Sequence, residues 1–284
     1  MHSTKSRIGL YANCDLVPGE LHRVGPGIAA VFSARGPQKP GPNEDAALVV
    51  PVNDKRGVLA VADGFGGQAA GDKASRLALE SLAECLENPP PEGELREAVL
   101  NGFEKANEAV TGLGVGAATT LAVVEISPGA VRSYHAGDSM ILVVGQRGRI
   151  KLQTVSHSPV GYAVEAGLLE EHEAMRHEAR HLVSNMVGAS DMRIEVGPIV
   201  PIGLHDTVIL TTDGVSDNLS VEEITEAVRK GPIEDVIRRI AVLCSRRMRQ
   251  PADDQPSKPD DFTFIAFRPA LKPSRRKRSA REAS

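Results

Sequence analysis

Residues 57–67, GVLAVADGFGG, join a short apolar run to an acidic residue and a glycine-rich turn. The run is too short for a helix and is bounded by glycine, which is typical of a buried strand. Two runs of the same kind precede it, GIAAVFSA at 27–34 and AALVVP at 46–51. The sequence therefore predicts three strands here, followed by a sharp turn that the glycines permit.

Helical patterns follow the first strands. DKASRLALESLAECLE, residues 72–87, has an apolar stripe at helical spacing, and a second helix is predicted from about residue 92 to 110. Between residues 118 and 155, apolar runs separated by Gly and Pro predict a block of strands. Residues 163–183 have a helical pattern that is rich in His and Glu.

The C-terminal third repeats the order of strand, helices and strand. Ser220 and Glu223 have the spacing of a capping box, which predicts that a helix starts at Ser220. A further helix buries apolar side chains from Ile233 to Cys244, and DFTFIAF, residues 261–267, predicts the last strand. Because helices and strands are segregated rather than alternating, we expect an α+β fold with antiparallel sheets instead of a doubly wound parallel sheet.

Composition limits the function classes. Aromatic residues make up only 3% of the 284-residue chain, so small aliphatic side chains must build the core. The sequence shows no signal-peptide pattern and no apolar run of membrane-spanning length. The three cysteines are widely spaced and odd in number, which argues against a disulfide framework and predicts a cytoplasmic protein. The body of the chain is acidic, so nucleic acid is not an expected partner.

Acidic residues recur at the ends of the predicted strands. Asp63 and Asp213 each end an apolar run and precede a glycine, and Asp138 lies in a Gly-Asp-Ser turn. Four more stand at strand starts: Glu44, Asp45, Asp260 and Asp261. Each Asp-Gly pair alone could be an ordinary turn.

Together these acids indicate a metal centre. Buried carboxylates must be paired or bind a metal, and we expect no Lys or Arg at the matching strand ends. Oxygen ligands select hard cations such as Mg²⁺, Mn²⁺ or Ca²⁺. Two such ions roughly 3.5–4 Å apart can polarise a phosphoryl group.

Six segments resemble, in order, the motifs of bacterial-type PPM (type 2C) metal-dependent protein serine/threonine phosphatases. They are Asn43-Glu44-Asp45-Ala46, Val61–Gly67, Gly116–Thr120, Ala136–Ser139, Thr211–Asp217 and Asp260–Thr263. The resemblance covers about residues 27–268. It implies a sandwich of two antiparallel β-sheets flanked by helices (α/β/β/α), with a mobile flap at about 157–188. Residues 1–26 are then an irregular N-terminal segment, and 269–284 form a basic, disordered tail.

The resemblance also implies the site and its reaction. Glu44, Asp63, Asp213 and Asp260 resemble ligands of two Mn²⁺ or Mg²⁺ ions, and Gly64 would add its carbonyl. Asp138 resembles the ligand of a weaker third ion, and Asp45 resembles an acid that orients metal-bound water. Asp45, Asp63 and Asp213 are therefore the expected catalytic residues. The implied activity is hydrolysis of phosphoserine and phosphothreonine in proteins by direct attack of metal-bound water, opposing a serine/threonine kinase.

Two positions depart from the family pattern. Many members carry an Arg where Pro40 stands, and that Arg binds phosphate. Lys39 is the favoured substitute because it is nearest in sequence, with Arg35 as the alternative. Some members carry a His at the position of Phe65, which cannot donate a proton; we interpret this difference as a feature of the bacterial subtype.

Other functions compete with this interpretation. His177-Glu178-Ala179-Arg180-His181 is a literal H-E-x-x-H, so a zinc metallopeptidase is one alternative. A non-catalytic PPM-fold binding module and a small-molecule phosphatase are two others. The basic tail could bind nucleic acid, an anionic membrane surface or an acidic partner.

Overall fold

The computed structural model describes residues 8–65, 70–89, 93–114, 116–252 and 255–270. The strands in these ranges are β1 (Gly9–Ala12), β2 (Leu16–Val24), β3 (Gly27–Ala34), β4 (Asp45–Pro51), β5 (Gly57–Phe65), β6 (Ala118–Thr119), β7 (Leu121–Ser127), β8 (Ala130–Ala136), β9 (Met140–Val144), β10 (Ile150–Gln153), β11 (Glu195–Pro201), β12 (Thr207–Thr211) and β13 (Phe262–Pro269). The helices are α1 (Gly71–Cys85), α2 (Arg96–Thr111), α3 (Pro159–Glu165), α4 (Glu171–Ala174), α5 (Asp213–Ser216), α6 (Val221–Val228) and α7 (Ile233–Arg249).

The strands form two antiparallel sheets. The first has the order β1-β4-β5-β7-β8-β11, with β6 paired to the end of β5. The second has the order β10-β9-β12-β13-β3-β2. This arrangement confirms the predicted antiparallel α+β fold.

Three apolar layers hold the sheets and helices together. Helices α1 and α2 cover the outer face of the first sheet, and α6 and α7 cover the second. A third cluster fills the space between the sheets. Strand β4 shows the cause, because Ala46 and Leu48 face the helices while Ala47 and Val49 face the other sheet. With both faces buried, the strand is a continuous apolar run, and small side chains let the layers approach.

The prediction that residues 1–26 are irregular is wrong for the described part of this segment, which contains two paired strands. Strand β1 pairs with β4 in the first sheet, and β2 pairs with β3 in the second. Strand β2 is an edge strand with mostly exposed positions and an irregular register, so it has no period-2 apolar pattern to mark it in the sequence. Residues 1–7 of that segment, and residues 271–284 of the predicted tail, lie outside the described residues.

The predicted helices are confirmed except in the flap. Ser220 caps α6 and forms the capping box with Glu223, as its spacing predicted. The continuous helix predicted over 163–183 is wrong, since this region contains only the short helices α3 and α4 and a 3-10 turn at Glu178–His181. Gly167 interrupts the pattern with a φ of +68°, a conformation that favours glycine. No helix in the described ranges is long and apolar enough to span a membrane.

Candidate metal-binding site

The predicted acidic residues converge at one end of the two sheets. Asp45 starts β4 and lies opposite Asp63 near the end of β5. Asp213 follows β12, and Asp260 and Asp261 precede the neighbouring strand β13. Because adjacent strands are antiparallel, the end of one strand and the start of the next lie at the same end of the sheet.

Hydrogen bonds join the two sheets at this end. The Thr212 hydroxyl, from the second sheet, donates to Asp45 Oδ2 at 2.8 Å. The Asp261 carboxylate accepts the backbone N–H of Glu44 at 2.8 Å and that of Gly36 at 2.9 Å. Asp261 is 2% exposed, so these bonds fix the first motif against the last. Asp261 therefore acts as a structural acid, a role that the sequence analysis did not assign to it.

The backbone of Asp63 is held through both its N–H and its carbonyl. Its N–H donates to Thr120 Oγ1, and its carbonyl accepts from Thr120 N and Thr119 Oγ1, all within 2.8–2.9 Å. The motif Gly116–Thr120 thus supports the second motif rather than providing a ligand. Burial, followed by the charges of Asp213 and Asp45, raises the pKa of Asp63 well above its ordinary value. Burial likewise raises the pKa of Asp45.

Two glycines allow the strand ends to approach one another. A Cβ on Gly64 would lie 2.0 Å from the Gly71 carbonyl oxygen at the start of α1. A Cβ on Gly214 would lie 1.8 Å from the Asp261 carbonyl oxygen. Each contact is far below a normal van der Waals distance, which explains the glycine after Asp63 and after Asp213. Gly66 and Gly67 of the second motif lie outside the described residues.

Asp138 and Asp217 form the outer side of the acidic cluster. Gly137 turns the chain with a φ of +114°, and Asp138 Oδ1 is hidden from solvent without a hydrogen-bond partner. Burial, then the charges of Asp213 and Asp217, raise the pKa of Asp138 to about 8. Burial and Asp213 raise the pKa of Asp217 to about 6. Asp217 ends the motif Thr211–Asp217, but it was not predicted to be part of the site.

Lys39 lies within the cluster, as its sequence position suggested. Its Nζ is 3.0 Å from Glu44 Oε2, 3.0 Å from Asp260 Oδ1 and 2.9 Å from Asp261 Oδ2. Burial opposes its charge, but Asp260 and Asp261 raise its pKa above the ordinary value. Arg35, the alternative, is exposed, and its guanidinium donates to the Gly41 carbonyl at 3.0 Å.

The prediction that no Lys or Arg lies at these strand ends is wrong. Besides Lys39, Lys258 reaches the cluster, with Nζ 2.6 Å from Asp213 Oδ2 and 2.7 Å from Asp217 Oδ2. It lies two residues before Asp260, so its nearness in sequence was a usable signal. Two ammonium groups lie among the acids because like charges that are close together in a buried site require neutralisation.

The donor set fits hard divalent cations. It offers carboxylate oxygens and backbone carbonyls, and two ammonium groups already lie among them. The unpartnered Asp138 Oδ1 indicates unused capacity for a cation. A pocket of about 420 Å³ opens beside the cluster, between Asp138, Asp213 and Asp217 on one side and Ser158 and Arg180 of the flap region on the other.

A second group of potential ligands behaves as a hydrogen-bond network. Among the described residues, His135, His157 and Glu195 are the group of three whose ligand atoms lie within 4.8 Å of one another. His157 Nδ1 accepts from Gly137 N at 3.1 Å and from the Asn185 amide at 2.8 Å. Its Nε2 therefore carries the proton and donates to Glu195 at 3.0 Å. The network supports the turn before Asp138.

The H-E-x-x-H segment lacks the helix that a zinc site of this type needs. His177 is the extended N-cap of the 3-10 turn, and its Nδ1 accepts from Ala179 N at 3.1 Å. Two His residues four apart share a face only on a regular helix. They border an open pocket against residues 255–257. The geometry gives no support to the peptidase alternative.

Comparisons with known proteins agree on one family. A model of the protein phosphatase 2C family matches residues 38–250. The protein phosphatase PhpP of Streptococcus pneumoniae is 30% identical over 182 residues, which cover 61% of this chain and 73% of PhpP.

Solved structures share the architecture. The PPM Ser-Thr phosphatase MsPP from Mycobacterium smegmatis, in complex with cacodylate, aligns with a TM-score of 0.70 and 26% identity, covering 85% of this chain and 98% of MsPP. The catalytic domain of the serine/threonine protein phosphatase PstP, in complex with two manganese ions, aligns with a TM-score of 0.66 and 25% identity, covering 84% and 96%.

Proposed function

Because this chain belongs to the protein phosphatase 2C family, we propose that it hydrolyses phosphoserine and phosphothreonine in proteins, using two bound divalent metal ions. The observation that carries the proposal is the convergence of buried carboxylates from both sheets at one edge. Such a cluster is unfavourable by itself and becomes favourable when cations bind. The names of the similar proteins, which are serine/threonine phosphatases, supply the substrate class.

The proposed ligands come from four segments. They are Glu44, Asp63, Asp213 and Asp260 through their carboxylates, and Gly64 through its carbonyl. Bound Mn²⁺ or Mg²⁺ would supply Lewis acidity toward the phosphoryl group. Asp138 is the proposed acid for any additional ion. The manganese ions of the PstP structure support a divalent metal here.

The chain's own groups have positioning roles in this proposal. Asp45 accepts the Thr212 hydroxyl, which leaves its second oxygen to orient a water molecule. Lys39 already contacts two proposed ligands, so its ammonium is placed to hold phosphate beside the ions. The pocket of about 420 Å³ between the cluster and the flap region is the proposed place for the residues that flank a phosphoserine.

The domain, compartment and partners are part of the same proposal. We assign residues 27–268, together with β1 and β2, to the phosphatase domain, and residues 157–188 to its flap. The three cysteines are free, which suits the cytoplasm. The expected partners are phosphorylated proteins and a serine/threonine kinase whose products this enzyme dephosphorylates.

The test is phosphate release from phosphoserine, phosphothreonine and phosphotyrosine peptides, with and without Mn²⁺. We expect metal-dependent release from the first two and much slower release from the third. Equal rates on all three peptides would contradict the substrate class. Absence of release from every peptide, with metal bound, would favour the binding-module alternative.

A further inference from the structure

Lys258 occupies the outer corner of the acidic cluster. Its ammonium lies between Asp213 and Asp217, at 2.6 and 2.7 Å, and is 3.5 Å from Asp260 Oδ2. Its side chain is 24% exposed, so water screens these contacts only in part. The position combines one proposed ligand of the main ions, Asp213, with an acid that has no assigned role, Asp217.

Hydrogen bonds fix the backbone of Lys258 so that its side chain points into the acidic cluster. The Asn218 side chain accepts from Lys258 N at 2.9 Å and donates to Lys258 O at 2.8 Å. Asn218 is fully buried and also donates to Gly214 O at 3.0 Å. The preceding residue, Ser257, is bonded to Arg247 O of α7 at 3.0 Å. Because the backbone of Lys258 is fixed on both sides, its side chain is built into the cluster.

We propose that Lys258 is a resident cation that takes the place of a third divalent ion between Asp213, Asp217 and Asp138. This inference rests on the proposed two-ion centre. An ammonium group neutralises Asp217 and one oxygen of Asp213, Oδ2, without coordination geometry, and it repels a divalent ion that approaches from its side of the cluster. The other oxygen of Asp213 remains for the two main ions. The charge of Lys258 also acts on Asp138, whose pKa it lowers against the stronger effects of burial and Asp213.

The proposal assigns a definite number of ions to the protein. Wild-type protein should bind two Mn²⁺ per chain at up to millimolar Mn²⁺, and Lys258→Met should bind three. The unpartnered oxygen of Asp138 would then face an ion. The third ion should disappear again in the double variant Lys258→Met/Asp138→Ala, because Asp138 is its proposed ligand.

Equilibrium dialysis of the full chain against Mn²⁺, with free Mn²⁺ read by electron paramagnetic resonance, counts the ions directly. Lys258→Arg keeps the charge and should stay at two ions, whereas Lys258→Gln should behave like Lys258→Met. Lys151→Met is a matched control, since Lys151 pairs with Asp206 at 2.6 Å and has a similar exposure. It should also bind two ions.

Each outcome separates the inference from the proposed function. Three ions on the wild-type protein would overturn the inference and leave the phosphatase proposal intact, even if no Lys258 variant folds. Two ions on Lys258→Met, whether at unchanged or higher affinity, would also overturn it. No ion on the wild-type protein would overturn the proposed metal centre and, with it, the role of Lys258.

Discussion

Asp45 and Asp63 lie directly opposite each other across β4 and β5, and both side chains are buried. Burial raises the pKa of each; Asp213 and Asp45 raise that of Asp63 further, and Asp261 and Asp213 raise that of Asp45 further. In the metal-free protein, the acids therefore repel one another at the point where ions are proposed to bind. Removing one of these charges should lower activity but raise the stability of the metal-free protein.

Asp63→Asn should lower turnover by at least about 100-fold, because it removes a proposed metal ligand at the centre of the cluster. In EDTA at pH 8, the same substitution should raise the free energy of unfolding by about 1 kcal/mol or more, because it removes a buried charge. Urea unfolding of the two proteins measures the difference.

Asp206→Asn is the control, because it should change the free energy of unfolding in the opposite direction. Asp206 is also buried, but it pairs with Lys151 at 2.6 Å and accepts Gly203 N at 2.6 Å. Its loss should destabilise the protein and leave turnover near the wild-type value. If Asp63→Asn kept near-normal turnover at low Mn²⁺, the ligand assignment would be wrong.

Chelation of the metal should abolish activity and lower the melting temperature. Ions that bind only the folded state stabilise it by about 2.7 kcal/mol at 100 times the dissociation constant. Activity and melting temperature should return together on titration with Mn²⁺ or Mg²⁺. Full turnover in excess EDTA would contradict the two-ion proposal.

The stability of the metal-free protein should fall as pH rises. Asp138 has a pKa of about 8 in the folded state, above its ordinary value, so the folded state holds a proton that the unfolded state has lost. Between about pH 4 and 8 this single group lowers the free energy of unfolding by up to about 1.4 kcal/mol per pH unit. Asp217, with a pKa of about 6, contributes in the same direction over the lower part of that range.

Urea unfolding in EDTA at pH 5, 6, 7 and 8 measures this slope. Asp138→Asn should have a shallower slope than the wild-type protein, and the exposed Asp191→Asn should match the wild type. Saturating Mn²⁺ should remove most of the pH dependence above pH 6, because bound ions favour the charged carboxylates. Equal slopes for wild type and Asp138→Asn would contradict the unusual environment of Asp138.

The strands and the acids at their ends could be predicted because local pattern determines them. The run at 57–63 is apolar since both of its faces are covered, and glycines follow Asp63 and Asp213 since backbones touch there. Lys258 was missed because a lysine before a proline and two acids also suits a solvated loop. Its direction depends on Asn218, which is 40 residues away in sequence.

The edge strands and the flap were also predicted poorly. Strand β2 has few buried side chains, so its pairing with β3 depends on a partner that local pattern does not identify. In the flap, His and Glu residues gave a helical pattern, but α4 buries none of its residues, so no apolar face supports a long helix.

The His177/His181 pair should be dispensable for phosphate chemistry. Their segment is a 3-10 turn beside residues 255–257, and no described contact joins either side chain to the acidic cluster. His177→Gln/His181→Gln should keep the turnover of an aryl phosphate within a few-fold. Stoichiometric zinc that is lost in this variant, together with peptidase activity, would restore the metallopeptidase alternative.

Lys39→Ala tests how phosphate is held. In the structure, the three protons of the Lys39 ammonium face Glu44, Asp260 and Asp261. Bound ions would replace the lysine at Glu44 and Asp260, whereas Asp261, which is not a proposed ligand, keeps it anchored. The released protons can then donate to phosphate. We therefore expect a KM for phosphopeptide raised about tenfold, weaker inhibition by free phosphate and a smaller change in kcat.

The metal dependence distinguishes this role from a purely structural one. Removing a positive charge beside Glu44 and Asp260 should lower the Mn²⁺ concentration needed for half-maximal activity, while a damaged site would need more Mn²⁺. Arg35→Ala is the matched control, since Arg35 is exposed and its guanidinium donates to the Gly41 carbonyl of its own loop. If Arg35→Ala raised KM and Lys39→Ala did not, phosphate binding would belong to Arg35. If neither variant changed KM, the ions alone would hold the phosphate.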